Sequence, residues 1–391
     1  MVLDDTEWLI VGAGLHGAHL AVSLVENGVA VSDIVLLDPK APIEQWKTRT
    51  SRLAMTHLRS PSVHHIAQAP FDLEAFAGGR RRRKPGFRGT HSRPKLELFN
   101  AHCDKVASDY GLDGMHHRGL AIRCEPSDDA VVIHTEEGAS LRAKYVVLAL
   151  GVGEPAWPES LRGRTSANIQ HVFEPQFHAP KADDQGSIAV VGGGITAAQL
   201  ALRFASNGRP VEMFVRHPLR VEPFDSDPCW IGPACMARFR KIQCLAERRS
   251  IIADARHRGS LPSDVKRALV RAREAGQVRI TQAPEHDLGE IARSNDHVLL
   301  ATGLSTRRPG GVLVDTLVEN SGLPIAPCGY PVTDTMLRWH PRVFATGALG
   351  ELELGPVARN IVGARRAAAR ISMFASARGS EGRSRSRRAS A

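Results

Sequence analysis

The stretch Trp8 to Asp38 limits what this chain can fold into more than any other. Trp8-Leu9-Ile10-Val11 is an apolar run of strand length that breaks into Gly12-Ala13-Gly14-Leu15-His16-Gly17. A helical pattern follows, with Leu15, Ala18, Val22 and Val25 recurring every three or four residues, and Asn27-Gly28 ends it. A second apolar run, Ile34 to Leu37, closes on Asp38. This is the pattern of a βαβ dinucleotide-binding unit. Gly12 permits the tight turn, Gly14 lets a pyrophosphate approach the backbone, and Gly17 lets helix and strand pack closely. The free amides and positive dipole end of the helix N-terminus face the phosphates. Asp38 lies 21 residues beyond Gly17, where an acid binds a ribose 2′-hydroxyl.

The same pattern returns. Ile188-Ala189-Val190-Val191 runs into Gly192-Gly193-Gly194-Ile195-Thr196-Ala197, with Ala197 as the third small residue. A helix is expected from Thr196 to Asn207 and a strand from Val211 to Val215, ending in Arg216-His217 where the first unit has Asp38. An acid repels a ribose 2′-phosphate and a guanidinium binds it in a bidentate manner. The first unit is therefore expected to take FAD and the second NADPH.

At 391 residues the chain has room for two or three domains. Its net charge of +10 invites a nucleic-acid reading, but the location of the charge argues against it. Gly78–Lys95 carries eight basic residues and no acid, and Arg378–Ala391 carries five arginines and one glutamate. These two segments exceed the whole surplus, so the body is slightly acidic, and no aromatic or fold signature of nucleic-acid binding accompanies them. The loop Arg80–Lys95 reads as solvated and the tail, 376–391, as disordered. No membrane helix is visible, and Asp4, Asp5 and Glu7 give the N-terminus the wrong charge for a signal peptide. Six cysteines stand without CxxC spacing, which fits a reduced, cytoplasmic protein without a redox dithiol. His64-His65 lacks a carboxylate or cysteine at ligand spacing, so no metal is expected.

Pro94 to Val106 reads as a helix, Val131–Thr135 with Leu141 onward as a hairpin, and Tyr145 to Gly151 as a buried strand. Ala234–Ala246 and Pro262–Ala275 are helical, with Asp225, Asp227, Cys229 and Trp230 on the loop before them, as a cover on the second domain. Strands follow at Asp296–Ala301, running into Ala301-Thr302-Gly303, and at Val343–Ala345, running into Thr346-Gly347. Gly355-Pro356 is expected to open a closing helix from Val357 to Phe374.

Two fingerprints in this order, with an A-T-G turn and a final T-G and helix, look like the two-dinucleotide-binding flavoprotein superfamily over nearly the whole chain. The segment Trp46-Lys47-Thr48-Arg49-Thr50, Arg52-Leu53 and His57-Leu58 resembles the one that follows the FAD fingerprint in class B flavin monooxygenases, whose relatives include the lysine/ornithine N-hydroxylases. That resemblance implies an α/β fold of two Rossmann-like domains, the NADPH domain inserted into the FAD domain. The expected boundaries are 1–180 and 296–375 for the FAD domain and 185–295 for the NADPH domain. It implies cofactor contacts at Gly12, Gly14, Gly17, Asp38, Trp46, Arg52, Gly192, Gly194, Ala197, Arg216, Thr302, Gly303, Gly347 and Gly355. His57, Arg59 and Asn360 become flavin-side candidates, equally readable as structural. The implied activity is oxygenation of a small molecule by O2 through a C4a-hydroperoxyflavin, as N- or S-hydroxylation or Baeyer–Villiger insertion. A flavin reductase serving another acceptor, or a flavin-bound redox sensor, are the alternatives. Two departures bear on this. The monooxygenase motif F-x-G-x-x-x-H is replaced by Leu161-Arg162-Gly163 with seven residues before His171, so His171 either stands in for the family histidine or is an ordinary loop residue. The reductase T-G-D reads Thr346-Gly347-Ala348.

Overall fold

A computed structural model describes residues 2–79, 86–163, 166–181, 183–283 and 288–389. Two sheets carry the molecule. The first has the order Arg338–His340, Val343–Ala345, Ser140–Leu148, Val2–Val11, Ile34–Asp38, His116–Arg118, with the hairpin of Ala121–Pro126 and Val131–Thr135 branching from Ser140–Leu148. The second is wholly parallel: Val278–Gln282, Val211–Val215, Ile188–Val191, His297–Leu300, Ile169–His171. Central parallel strands are covered on both faces, which is why Trp8-Leu9-Ile10-Val11 and Ile188–Val191 read as unbroken apolar runs and are buried throughout.

The two strands flanking the insertion belong to its sheet. Ile169–His171 and His297–Leu300 pair with one another, and His297–Leu300 with Ile188–Val191, so the second domain reaches beyond the 185–295 expected for it. A three-residue edge strand leaves too short a pattern to be read in advance. The true boundary is where the linkers cross: Ala156 N–H donates to Gly303 O (3.0 Å) and Ser305 N–H to Glu154 O (2.7 Å).

Trp8 anchors the first core, its ring 4.8 Å from Tyr145 and 5.8 Å from Phe344, with Phe374 edge-on at 6.3 Å. Phe374 lies on the closing helix, which spans Ile361–Ala389. Its buried Ala364, Ala367 and Ala368 let it lie close to the helix Leu15–Glu26, where Ser23 and Ser372 hydroxyls meet at 2.9 Å. Two expectations are corrected here. The helix begins at Ile361 rather than Val357, because Gly355 (φ +81°) and the turn after it come first and Ala364 N–H closes on Asn360 O. Its backbone also continues to Ala389 where a disordered tail was expected from 376: the packed turns before it supply the helix nucleus.

The basic loop is only partly solvated. Arg80–Lys84 lie outside the described residues, but Phe87–Arg88 and Arg93–Pro94 form a small ribbon. Arg93 is buried and grips Asp264 of the second domain with both terminal nitrogens, at 2.9 and 3.2 Å. Two of the six cysteines, Cys229 and Cys235, are joined as a disulfide, against the expectation of unpaired thiols; their Cα atoms lie 5.5 Å apart. The turn through Ile231-Gly232-Pro233 brings them together at a spacing outside the usual dithiol motifs. Among the described residues no helix is long and apolar enough to cross a membrane.

Burial holds six histidines, His16, His19, His57, His64, His65 and His171, down at about 4. Unfolding returns each to about 6.5, so between these values the unfolded chain binds more protons. Stability is then full above pH 6.5 and declines as pH falls towards 4. Urea midpoints measured from pH 7.5 to 4.5 should fall steadily below 6.5, with net proton uptake on unfolding; a flat profile over that range would contradict the assignment.

Candidate functional site

The two glycine loops are built alike, atom for atom. Gly12 N–H donates to Leu37 O (2.8 Å) and Gly192 N–H to Phe214 O (2.9 Å). Ala149 N–H donates to Val11 O and Ala301 N–H to Val191 O, both at 2.8 Å. Each first glycine is left-handed, and a Cβ on it would stand 2.4 Å from Ala149 O or 2.5 Å from Ala301 O. The V-x-A-x-G and A-T-G turns are thus the walls against which the two loops are pressed. A Cβ on Gly17 would lie 1.9 Å from Gly12 O, whereas in the second unit Ala197 fits, its Cβ 3.5 Å from the position a Gly192 Cβ would take.

Gly14 differs from its neighbours. Nothing lies within 4 Å of where its Cβ would be, so the loop opens onto free space at the helix N-terminus. That is the cradle a pyrophosphate needs, and the residues present fit FAD there. Gly194 faces Gly259, whose Cα is 3.6 Å from the Cβ position, so the second cradle is a slot between two glycines beside His217 and Arg216. Arg216 is exposed at the end of Val211–Val215. Asp38 turns both carboxylate oxygens onto the backbone, accepting Ala13 N–H (2.8 Å) and Lys40 N–H (2.9 Å), and so shapes the first loop.

Beyond the cradle lies His16, which sequence reasoning passed over although it sits inside the fingerprint. Its Nδ1 is 3.4 Å from Thr346 Oγ1, and its ring lies against the Gly347 position. Burial keeps it neutral, outweighing hydrogen bonds to the backbone of Arg359 and Asn360. His16 therefore joins the glycine loop to the final T-G turn and the start of the closing helix.

Arg59 and Asn360 are brought together in a chamber with Ser226, Ile231 and Val357, at the head of the closing helix. The chamber is narrow, about 20 Å³, and the segment 224–231 forms part of its wall. Arg59 is the latch on that segment. It donates to Glu222 O (2.8 Å), Phe224 O (2.7 Å) and Ser260 Oγ (2.8 Å) and pairs with Asp225 (2.8 Å). Ser226 Oγ, 3% exposed, has no partner among the described residues and is a donor in wait for a ligand atom. The same segment is held from the other side by Arg366, which donates to Trp230 O and Ile231 O at 2.7 Å, and by Met236 under Gly355, whose Cβ would meet its sulfur at 2.8 Å. Of the helices expected as a cover on the second domain, Ser263–Glu274 packs there through Val265, Leu269 and Ala272, whereas the helix Leu245–Asp254 docks on the first: Arg248 pairs with Glu353 at 3.0 Å, and Glu351 takes Arg249 and Arg359.

His57 does not share this chamber. It lines a separate cavity between the domains, with Arg88 and Arg93, and burial followed by those two arginines pushes it down to about 4. Trp46 donates to Asn100 Oδ1 (3.2 Å) and packs edge-on against Phe99, while Arg52 donates to Pro175 O across the domain boundary. Thr302 donates to Ala156 O (2.7 Å) and receives His171 Nε2–H (3.0 Å), while Phe173 N–H donates to His171 Nδ1 (3.3 Å). His171 is a buried clasp on the linker crossing at Gly303.

Residues 9–153 match the family model described as FAD-NAD(P)-binding, and residues 120–257 match that of L-lysine 6-monooxygenase/L-ornithine 5-monooxygenase. Glutathione reductase from Schizosaccharomyces pombe is 28% identical over 243 residues, 61% of this chain. The match spans 45% of that enzyme, less than half its length. Among solved structures, the reduced form of ornithine hydroxylase from Pseudomonas aeruginosa superposes with a TM-score of 0.72 at 17% identity, covering 95% of this chain and 99% of that one. The FAD-bound cadaverine monooxygenase of desferrioxamine biosynthesis from Erwinia amylovora gives 0.70 at 16%, covering 94% of each. At these identities the likeness is one of fold.

The two glycines of the first loop should separate by experiment. Gly17→Ala collides with backbone and should lower stability by about 1–3 kcal/mol or more in urea unfolding. Gly14→Val should leave the chain folded but without FAD. Full flavin occupancy in Gly14→Val would remove the cradle from the account.

Proposed function

We propose that this chain, which belongs to the two-dinucleotide-binding-domain flavoproteins and is a flavin-dependent oxidoreductase, is an NADPH-dependent FAD monooxygenase of small molecules. The observation that carries the reading is the pair of identically walled cradles, one ending in Asp38 and the other in Arg216, in a chain whose middle third matches the lysine/ornithine monooxygenase model. Bound FAD would supply hydride acceptance and oxygen activation; the protein supplies binding, orientation and exclusion of water. Gly12 to Gly17 would hold the pyrophosphate, and Arg216 the nucleotide 2′-phosphate. His16 and Asn360 would border the flavin, with Arg59 closing the segment 224–231 over it. The substrate would be a nucleophilic nitrogen or sulfur, or a carbonyl, oxygenated with O2.

One observation favours a second reading. The Cys229–Cys235 disulfide lies in the segment that covers the chamber, and a flavin reductase acting through a disulfide would need such a pair. Oxygen consumption decides between them. A monooxygenase should oxidise NADPH faster when offered an amine, thioether or ketone substrate, with oxygen appearing in product. A reductase should oxidise NADPH without O2 when given a disulfide acceptor, and lose that activity in Cys229→Ser.

Arg216→Ala should raise KM for NADPH roughly tenfold or more while leaving NADH unchanged, the loss of a charge-assisted contact of about 1.5–3 kcal/mol. Equal effects on both nucleotides would show that Arg216 does not read the 2′-phosphate.

A further inference from the structure

A cavity of about 490 Å³ belongs to neither cradle. One wall comes from the first domain, at Ser51 to His57 and the ribbon at Arg88 and Arg93; the other comes from the helices Ile195–Ser206 and Ser263–Glu274 of the second. Neither the Gly192–Gly194 loop nor Arg216 contributes to it. On the second domain's side it is bordered by Gln199 to Ser206, the later turns of the helix whose N-terminus forms the nucleotide slot. His57 lines it, while Arg59, two residues on, lines the flavin-side chamber. The two spaces are therefore neighbours with a partition between them. The volume lies within the range of small-ligand sites.

Its chemistry is uneven. Met55, Leu202 and Val265 give an apolar side. The other side carries Arg93, which is 8% exposed; Asp264 cancels its charge by taking both terminal nitrogens, yet the Nε–H has no acceptor among the described residues. Arg88, with a side chain 53% exposed, is screened by solvent and also leans on Asp264. Arg203, exposed at the rim, has no carboxylate partner among the described residues, its contact being a 3.5 Å hydrogen bond to Arg52 O. One guanidinium without a carboxylate partner and an apolar wall together match a monoanion with an apolar body.

We propose that this interdomain cavity is a binding site for a small amphipathic carboxylate, its acid group on Arg203 and its apolar body against Met55, Leu202 and Val265. Because one wall belongs to each domain, the occupant bridges them. It sits behind the partition at His57–Arg59, where it can bear on the latch over the flavin-side chamber without entering either nucleotide site.

Calorimetry on the FAD-loaded protein tests this with 4-phenylbutyrate, its neutral amide and inorganic phosphate as probes. The acid should bind at least tenfold more tightly than the amide and than phosphate, and saturating NADP⁺ should not displace it. Arg203→Gln, at an exposed position, should weaken the acid at least fivefold and leave the amide unchanged. Ala268→Phe, which fills the cavity without touching a charge, should abolish binding of both while flavin content stays normal. Equal binding of acid and amide, phosphate as tight as the acid, displacement by NADP⁺, or no binding at millimolar acid would each overturn the proposal. Should Ala268→Phe fail to fold, the Arg203→Gln result alone decides.

Discussion

Everything in this molecule depends on a carbonyl oxygen pressed against a glycine. Ala149 O and Ala301 O come so close to Gly12 and Gly192 that a methyl group at either place would stand within 2.5 Å of them. The contact fixes the strand end, turns the chain, and aims the following helix N-terminus at open space. It also explains why the chain leaves the first domain and returns where it does. The strand that supplies Ala149 leads into the linker at Glu154–Ala156, and the strand that supplies Ala301 leads into the one at Gly303–Ser305 that pairs with it. One construction used twice, with its two walls running directly into the domain connection, sets both cradles relative to the hinge.

The rest of the architecture is lashing across that hinge, and arginine does most of it. Arg93 reaches Asp264, Arg52 reaches Pro175, Arg59 holds the segment 222–225, Arg366 on the closing helix holds Trp230, and Arg248 ties the helix Leu245–Asp254 to Glu353. A guanidinium suits this work because its planar fork can serve several carbonyls at once, as Arg59 does. The consequence is a narrow chamber walled by a segment that is held on two sides. Of the basic loop, Arg93 is thereby absorbed into structure rather than offered to a polyanion.

The cradles were legible in the sequence because glycine spacing, strand run and helix pattern all respond to the same local geometry. Both glycine loops, the A-T-G turn and the parallel sheets follow from that pattern. What was not legible is long-range. Nothing local distinguishes Arg59 as a latch from Arg59 beside a flavin, nor separates His57 from Asn360 into different spaces. Ile169–His171 is too short to announce itself as a strand, and the start of the closing helix was misplaced because Gly355-Pro356 opens a turn rather than a helix. Cys229 and Cys235 escaped notice because their pairing is made by a turn, not by a motif spacing. His16 was hidden in plain view, at a fingerprint position usually free to vary, and only its burial against Thr346 and Gly347 gives it a role.

The central claim is that the first cradle holds FAD and the second delivers reducing equivalents to it from NADPH. Anaerobic titration of the purified, FAD-loaded protein with NADPH tests it most directly, followed through the visible absorbance of the flavin. The account predicts one tightly held flavin per chain, bleached by about one equivalent of NADPH and far more slowly by NADH. A chain that retains no flavin, or whose flavin stays oxidised under excess NADPH, would contradict it.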